Sequence, residues 1–413
     1  MSDRALDGVR VVEFTDEIGA YCGKLLADLG ADVIKVEPPG GGVMRHTPPY
    51  FRDRVGVDTG IKFWFQNTSK RSVVLDLDDP ADRDTARTLA LLANVIVEDC
   101  PAGYLADRGL GYGDLSADKP SLVYTSVSGF GRTGPHAGWA YSDIVGQATG
   151  GVMTLSGEPT DPPNQIAGEQ ANMCASIHAA QGTMFALLHS EATGRGQWVD
   201  VSAQESLSMA QETAMQTWDF LKRNRTRTGE RGMIPVALPG LGVYEAKDGF
   251  VYLGVLAPAG AELVDMVRWM GEEGMAEDLF EEPYATTVTQ LNMGFLTQVM
   301  GDPAKITGIF GQLGHIHEVI GRFIASRTAV DAYEGGQRRN LLFGIISTPE
   351  DLAQNAQLRA RDWFQKLQPR GAGGPVEFPG PPYRLTATPA VLGPPPGLGQ
   401  HTAEVLASAA GAR

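Results

Sequence analysis

The residues from Gly129 to Gly134 have the types and spacing that could bind a dinucleotide. They read G-F-G-R-T-G, match the pattern G-x-G-x-x-G and follow an apolar stretch typical of a strand. The expected continuation is missing, because Pro135 and a polar, turn-rich stretch come next instead of a helix whose N-terminus would face a pyrophosphate. No acidic residue follows about 20 positions later at the end of a second strand. We therefore interpret this segment as a tight turn that brings a loop to an active site.

A basic cluster at residues 67–72, with the sequence NTSKRS, could hold an anionic ligand. Lys70 lies within it, and Lys35, Arg108 and Arg132 are further cations that could contribute. The whole chain has a formal charge of −15, which argues against nucleic acid or an anionic membrane as its main partner. A local cluster nevertheless decides whether a small anion binds. The alternative is that these are ordinary surface cations.

Metal ligands and targeting signals are sparse. His315 and His317 could chelate a metal, but no carboxylate or cysteine cluster accompanies them. The three cysteines are scattered and odd in number, which indicates neither a disulfide framework nor a metal cluster. No apolar run approaches the ~18 residues that span a bilayer, and the N-terminus has no signal-peptide pattern. We expect a cytoplasmic protein without a metal site or membrane contact.

The first half of the chain alternates strands with helices. Residues 9–14 and 32–37 read as strands around a helical pattern that Gly30 ends. The same unit recurs with a strand at 72–77, a helix at 80–92 and a strand at 95–98, and another strand is predicted at 122–127. Such alternation predicts a parallel sheet that helices cover on both faces, and hence an α/β fold.

A helix rich in small residues follows at about 172–190. Gly182 lies inside it, where glycine costs about 1 kcal/mol against alanine, so we expect another backbone to approach closely there. A strand at 198–201 and a helix at about 204–223 come next. Pro235 and nearby glycines indicate a domain junction at 224–242, and Asp248-Gly249 predicts a hairpin after it.

Four blocks of this sequence resemble the class III CoA-transferases. They are ATGRGQWVDVS at 192–202, LADLGADVIKVEPPG at 26–40, SGFGRTGP at 128–135 and LGQHTAEVL at 398–406. The resemblance covers nearly the whole chain. It implies a Rossmann-like large domain with a parallel sheet, built from both chain ends, plus a small α+β domain in an interlocked dimer. The domains would comprise residues 1–225, a small domain at 226–330, and 331–413 as the return to the large domain.

The resemblance also implies a site. CoA would lie in the large domain as coenzyme A or acyl-CoA substrate, with no permanently bound cofactor. Asp16, Glu17 and Ile18 would form the loop near its thiol end, and Lys70 would face its phosphates. Asp99, Cys100 and Arg108 would flank the nucleotide, and Gly129 would belong to the active-site turn.

Members of this family use an aspartate carboxylate that attacks the donor thioester, which gives a mixed anhydride and then an enzyme thioester. Here Asn172 stands at that position, and an asparagine cannot form the anhydride. Glu169 lies three residues earlier, and residues three apart share a face of a helix. Glu169 is therefore a candidate nucleophile. The alternative is a helix N-terminal acid that the helix dipole favours.

Two functions follow from these alternatives. The first is transfer of CoA from an acyl-CoA donor such as succinyl-CoA to an organic acid through anhydride and thioester intermediates. The second is a non-catalytic CoA-binding subunit of a heteromeric CoA-transferase, as in the benzylsuccinate CoA-transferases, which pair two related subunits. The partners would be an acyl-CoA, a carboxylic acid and either a second copy of the chain or a related subunit. Nucleic acid is not expected.

Overall fold

A computed structural model describes residues 4–211, 213–229, 238–255, 262–292, 294–295 and 309–411. The strands are β1 (Arg10–Phe14), β2 (Asp32–Glu37), β3 (Arg71–Val74), β4 (Val95–Glu98), β5 (Val123–Ser128), β6 (Trp198–Ser202), β7 (Leu241–Glu245), β8 (Phe250–Gly254), β9 (Phe343–Ile345), β10 (Phe364–Leu367) and β11 (Val376–Pro379). The helices are α1 (Ala20–Asp28), α2 (Ile61–Gln66), α3 (Pro80–Leu92), α4 (Tyr112–Asp118), α5 (Asp143–Thr149), α6 (Val152–Leu155), α7 (Gln170–Thr193), α8 (Ala203–Met209), α9 (Ala214–Leu221), α10 (Leu263–Glu272), α11 (Tyr284–Gln290), α12 (Phe310–Ala325), α13 (Ala329–Gln337), α14 (Pro349–Gln354), α15 (Ala356–Ala360) and α16 (Thr402–Ala410). No helix among these residues is long and apolar enough to cross a membrane.

The chain forms two compact units, and residues 1–153, 165–216 and 356–413 make up the first. Its centre is a six-stranded sheet in the order β3-β2-β1-β4-β5-β6, in which every pairing is parallel. Side chains of successive β1 residues point to opposite faces of the sheet. Val12 packs with α3 in one hydrophobic core, and Val11 packs with α1 and α7 in another. This arrangement confirms the predicted α/β fold with a parallel sheet and helices on both faces.

The strand order places a crevice at the carboxyl edge of the sheet. β1 pairs with β2 on one side and with β4 on the other, so the connections that leave β1 and β4 diverge to opposite sides. Ligands of open α/β sheets bind at such a switch point. The loops after β1 and β4 therefore mark the first place to look for a site.

Helix α7 lies against the sheet and ends in a left-handed Gly194. It packs on β5, β6 and α1, and its buried face consists mainly of the small residues alanine, serine and threonine, which permit close approach. A Cβ atom on Gly182 would lie 2.9 Å from Cγ1 of Val199 on β6. The predicted close approach is real, but its partner is a side chain rather than a backbone.

Residues 154–164 and 217–355 form the second unit. Its sheet has the antiparallel order β7-β8-β9, and the hairpin that joins β7 to β8 confirms the prediction from Asp248-Gly249. Because β9 pairs with β8 and α13 packs on β9, the chain stays in this unit beyond residue 331 and changes over at Ala356. Pro235, in the predicted junction, lies outside the described residues.

The C-terminal residues join the first unit through a buried arginine. The guanidinium of Arg45 donates hydrogen bonds to the carboxylate of Glu37, to Oδ1 of Asp58 and to the carbonyl oxygen of Pro396. The backbone N–H of Leu398 donates to the same Asp58 oxygen. Both ends of the chain thus contribute to one core.

Candidate active site

A cavity of about 360 Å³ opens at the carboxyl ends of β1, β2, β3 and β4. Its walls include Phe14, Lys35, Glu37, Asp78, Asp99, Cys100 and Tyr104. The cavity is therefore the crevice that the strand order requires. It also contains Asp16, Asp99 and Cys100, three of the residues that the resemblance assigned to CoA.

Asp99 holds the loop that follows β1. Its carboxylate accepts hydrogen bonds from the backbone N–H groups of Asp16, Ile18 and Gly19 at 2.9–3.0 Å. The carboxylate of Asp16 in turn accepts from the N–H of Met44 at 3.0 Å. Burial raises the pKa of Asp99 although these donors oppose the rise. Asp99 is thus already engaged with the loop, and its contribution to a ligand would be to shape that loop.

Lys70 lies in the core rather than in the crevice. Its ammonium donates to Oε1 of Glu13 at 2.8 Å, to the carbonyl of Ala20 at 2.7 Å and to Oδ1 of Asn67 at 2.9 Å. The side chain is fully buried, and burial lowers the pKa of Lys70 to about 8. Because all three donors are used, the ammonium has none left for phosphates. As placed here, Lys70 cannot face the CoA phosphates.

Cys100 lines the crevice, and Arg108 lies just behind its wall. The thiol of Cys100 donates to the carbonyl of Phe14 at 3.4 Å, and burial raises the pKa of that thiol. The guanidinium of Arg108 pairs with Oδ1 of Asp78 at 2.6 Å and stacks 3.9 Å from the ring centre of Tyr104. Asp78 and Tyr104 both line the cavity, so Arg108 lies behind two of its wall residues.

Gly129 makes room for a tyrosine that reaches Asn172. A Cβ atom on Gly129 would lie 2.2 Å from Cδ2 of Tyr141, and one on Gly146 would lie 2.3 Å from the Tyr141 oxygen. The Tyr141 hydroxyl donates to Oδ1 of Asn172 at 3.1 Å. Gly129 follows β5, whereas a dinucleotide fingerprint follows the first strand of its fold. The position of Gly129 after β5 thus agrees with the interpretation of residues 129–134 as a tight turn rather than a dinucleotide site.

Glu169 immediately precedes α7 and contacts a lysine. Its Oε1 atom lies 2.6 Å from Nζ of Lys62, which is also 3.3 Å from Oε1 of Glu17. Burial alone would lower the pKa of Lys62, but Glu169 and Glu17 outweigh it, so that pKa is raised. The second oxygen of Glu169 is buried and has no hydrogen-bond partner in the part of the chain that the structure describes. The Glu169 side chain makes no capping bond to α7.

A buried polar cluster fixes the start of α7. Asp143 accepts a hydrogen bond from the backbone N–H of Asn172 at 3.0 Å and another from the amide of Gln147 at 2.7 Å. The amide nitrogen of Gln147 also donates to the carbonyl oxygens of Ile166 and Gly168, and its amide oxygen accepts a hydrogen bond from the backbone N–H of Ile166. Asp143 and Gln147 therefore hold the segment that carries Glu169.

Sequence reasoning missed Lys62, Asp143 and Gln147. The pair Asp143 and Gln147 has the four-residue spacing of facing helical side chains, which was a usable signal. Lys62 has no such signal, because Glu17 and Glu169 are 45 and 107 residues away along the chain.

The two histidines of the second unit have partners within that unit. His315 lies 2.7 Å from Oδ1 of Asp278, and Nδ1 of His317 lies 2.8 Å from the Tyr244 oxygen. The described ranges contain no group of three or more histidine, cysteine, aspartate or glutamate side chains that could hold a metal ion.

The sheet order and the crevice at its switch point define a Rossmann-like α/β protein with a cavity at the carboxyl edge of its sheet. The chain belongs to CoA-transferase family III, and the sequence profile of that family matches residues 6–402. This confirms the family that the four sequence blocks predicted.

Relatives match over nearly full length. The chain is 35% identical over 404 residues to the succinyl-CoA:(R)-benzylsuccinate CoA-transferase subunit BbsE of Thauera aromatica, covering 96% of this chain and 92% of that protein. It is 30% identical to the succinyl-CoA:mesaconate CoA-transferase of Haloarcula hispanica, covering 97% and 96%. A crystal structure of a CAIB/BAIF family protein from Brucella suis is 26% identical with a TM-score of 0.81, covering 98% of this chain and 99% of that one. These similarities support CoA transfer as the general activity.

Proposed function

We propose that this protein moves CoA from an acyl-CoA donor such as succinyl-CoA to an organic acid, with Glu169 as the nucleophile. One observation carries the proposal. Oε1 of Glu169 is held 2.6 Å from Lys62 while its second oxygen is buried and unpartnered among the described residues. A carboxylate held in this way is oriented, and no hydrogen bond within the described residues competes for its second oxygen. The names of the relatives from Thauera and Haloarcula support succinyl-CoA as donor.

The chemistry consists of acyl transfers that balance without a further reactant. An oxygen of Glu169 attacks the donor thioester carbonyl and expels CoA thiolate, which leaves a mixed anhydride. The thiolate attacks the glutamyl carbonyl and releases the donor acid as a carboxylate, so that CoA is bound to Glu169 as a thioester. The acceptor carboxylate then attacks this thioester, and CoA returns through a second anhydride to form the new acyl-CoA.

The binding part of the proposal uses the crevice. CoA would lie along the loop of Asp16, Glu17 and Ile18 and past Cys100 and Arg108, with Asp99 holding the loop in shape. The ammonium of Lys70 does not contact CoA in this proposal. We further propose a cytoplasmic protein that assembles as an interlocked homodimer, or as a heterodimer with a related subunit.

The second candidate is a subunit that binds CoA without carrying the nucleophile. Asn172 favours it, because its side chain accepts from Tyr141 and is an amide where family members carry an acid. The relative from Thauera is itself named as a subunit. In that case, the acid would come from the partner chain.

Intact-protein mass after incubation with succinyl-CoA separates the two candidates. We expect a thioester that hydroxylamine converts to a hydroxamate, with the modified peptide containing Glu169 and the label absent from Glu169→Gln. Lys366→Gln, which changes an exposed lysine of β10, is the control that keeps the label. A folded wild-type protein that binds CoA but carries no label would favour the non-catalytic subunit.

A further inference from the structure

We propose that Lys62 binds the carboxylate of the acid substrate when Glu169 has lost its charge. The inference rests on the proposed function and names the group that recognises the acid. The substrate is then an organic acid whose carboxylate pairs with the ammonium of Lys62, next to the carbonyl carbon of Glu169 that reacts.

Lys62 lies where it can take this role. It belongs to α2, and only 14% of its side chain is exposed. Its ammonium is 2.6 Å from Glu169 but 3.3 Å from Glu17, whose side chain is 49% exposed. Glu169, whose side chain is 35% exposed, is therefore the closer and less exposed partner of Lys62, and Glu17 is the more distant and more exposed one.

The proposed reaction removes the short partner. In the anhydride and in the thioester, Glu169 is an acyl group without negative charge. A largely buried ammonium is then left with one longer contact, and a buried charge without a close partner is unfavourable. A substrate carboxylate entering at this stage supplies the missing charge and a charge-assisted hydrogen bond.

The same contact places the acid for reaction. Because Nζ of Lys62 lies 2.6 Å from Oε1 of Glu169, a carboxylate bound to this ammonium lies close to the glutamyl carbonyl. One carboxylate oxygen attacks that carbon, CoA leaves as the thiolate, and the glutamyl–acyl anhydride forms. The donor acid departs from the same place in the first half of the reaction, so one lysine serves both acids.

Carboxylate binding to a neutral mimic of the acylated enzyme tests this without requiring turnover. Glu169→Gln removes the charge and keeps the shape. With CoA present, we expect succinate to bind Glu169→Gln at least about tenfold more tightly than the wild type by titration calorimetry. The double variant Glu169→Gln/Lys62→Met should lose this gain, and Glu169→Gln/Lys62→Arg should retain most of it.

Lys119 provides a matched control, because it is a half-buried lysine that bonds to the carbonyls of Leu91 and Ala93. Glu169→Gln/Lys119→Met should bind succinate as Glu169→Gln does, and thermal unfolding establishes that each variant is folded. Equal binding to wild type and Glu169→Gln, or undiminished binding to the folded Lys62→Met double variant, would overturn the proposal. Failure of the proposed function would instead appear in the mass experiment as an unlabelled wild type, whatever the calorimetry gives.

Discussion

The hydroxyl of Tyr141 donates a hydrogen bond of 3.1 Å to Oδ1 of Asn172, in the first turn of α7. The backbone N–H of Asn172 donates to Asp143 in the same cluster. The position to which the resemblance assigns the family's acid is therefore held by two hydrogen bonds, and the uncharged Asn172 occupies it.

Replacing Asn172 by aspartate in a Glu169→Gln background is expected to restore labelling by succinyl-CoA at position 172. The Tyr141 hydroxyl and the positive end of the α7 dipole both favour a carboxylate there. The measurement is hydroxylamine trapping followed by peptide mass mapping. Glu169→Gln alone is the unlabelled control, and a folded but unlabelled double variant would contradict the expectation.

Gly129→Ala is expected to destabilise the protein by about 1–3 kcal/mol, because the new Cβ atom would lie 2.2 Å from Cδ2 of Tyr141. The displaced ring should also lose its bond to Asn172. Urea unfolding measures the change. Gly113→Ala is the matched control, since Gly113 lies in α4 with nothing within 4 Å of its Cβ position and should gain up to about 1 kcal/mol. Equal stability of the two variants would show that Tyr141 does not require a glycine at 129.

Glu37→Gln is expected to cost about 1.5–3 kcal/mol at pH 7, because it removes the charged bidentate partner of the fully buried Arg45, which keeps its bond to Asp58. Although burial opposes it, the Arg45 hydrogen bonds hold the pKa of Glu37 below its ordinary value of 4.5. A lowered folded pKa means that this stability is present above about pH 4.5 and is lost as the pH falls through the folded value.

Denaturant unfolding at pH 7 and at pH 4 checks this dependence. The difference in stability between wild type and Glu37→Gln should shrink at acid pH. Glu404→Gln is the control, because its pair with Arg71 is exposed and should contribute no more than about 1 kcal/mol. A difference that does not change with pH would contradict the assigned ion pair.

The native thiols are expected to react slowly with Ellman's reagent at pH 8, with Cys22 last. Burial, and secondly Glu13, raises the pKa of Cys22 to about 12, and Cys22 is the one fully buried thiol of the three, so the reagent has least access to it. Burial raises the pKa of Cys100 and Cys174 as well. Rates followed by peptide mapping should converge in denaturant. Modification of Cys22 as fast as that of Cys174 in the native protein would contradict the buried location.

Local pattern located the sheet well. The predicted strands at 32–37 and 95–98 and the helix at 80–92 coincide with β2, β4 and α3. Apolar periodicity records which face of an element is buried, and Gly30 and Pro80 mark where elements stop or start. One prediction was wrong, because the helix expected at 204–223 is two helices, α8 and α9.

The candidate site was only partly predictable. Glu169, Asn172 and the loop at residues 16–18 were singled out from the resemblance, and the structure connects Glu17 to Glu169 through Lys62. The ammonium of Lys70 was expected at the crevice, yet it is buried against Glu13. A lysine in a basic stretch reads the same from sequence whether it points to solvent or to a core carboxylate.

The sequence by itself determined the α/β fold and the family, because hydrophobic period, turn residues and the four conspicuous blocks are properties of neighbouring positions. Only the tertiary structure decided which carboxylate meets Lys62, which donors Asp99 satisfies and what Asn172 contacts. The physical reason is that hydrogen bonds and ion pairs act over about 3 Å, whereas the partners are separated by 31 to 107 residues of chain. Folding alone brings them within that range.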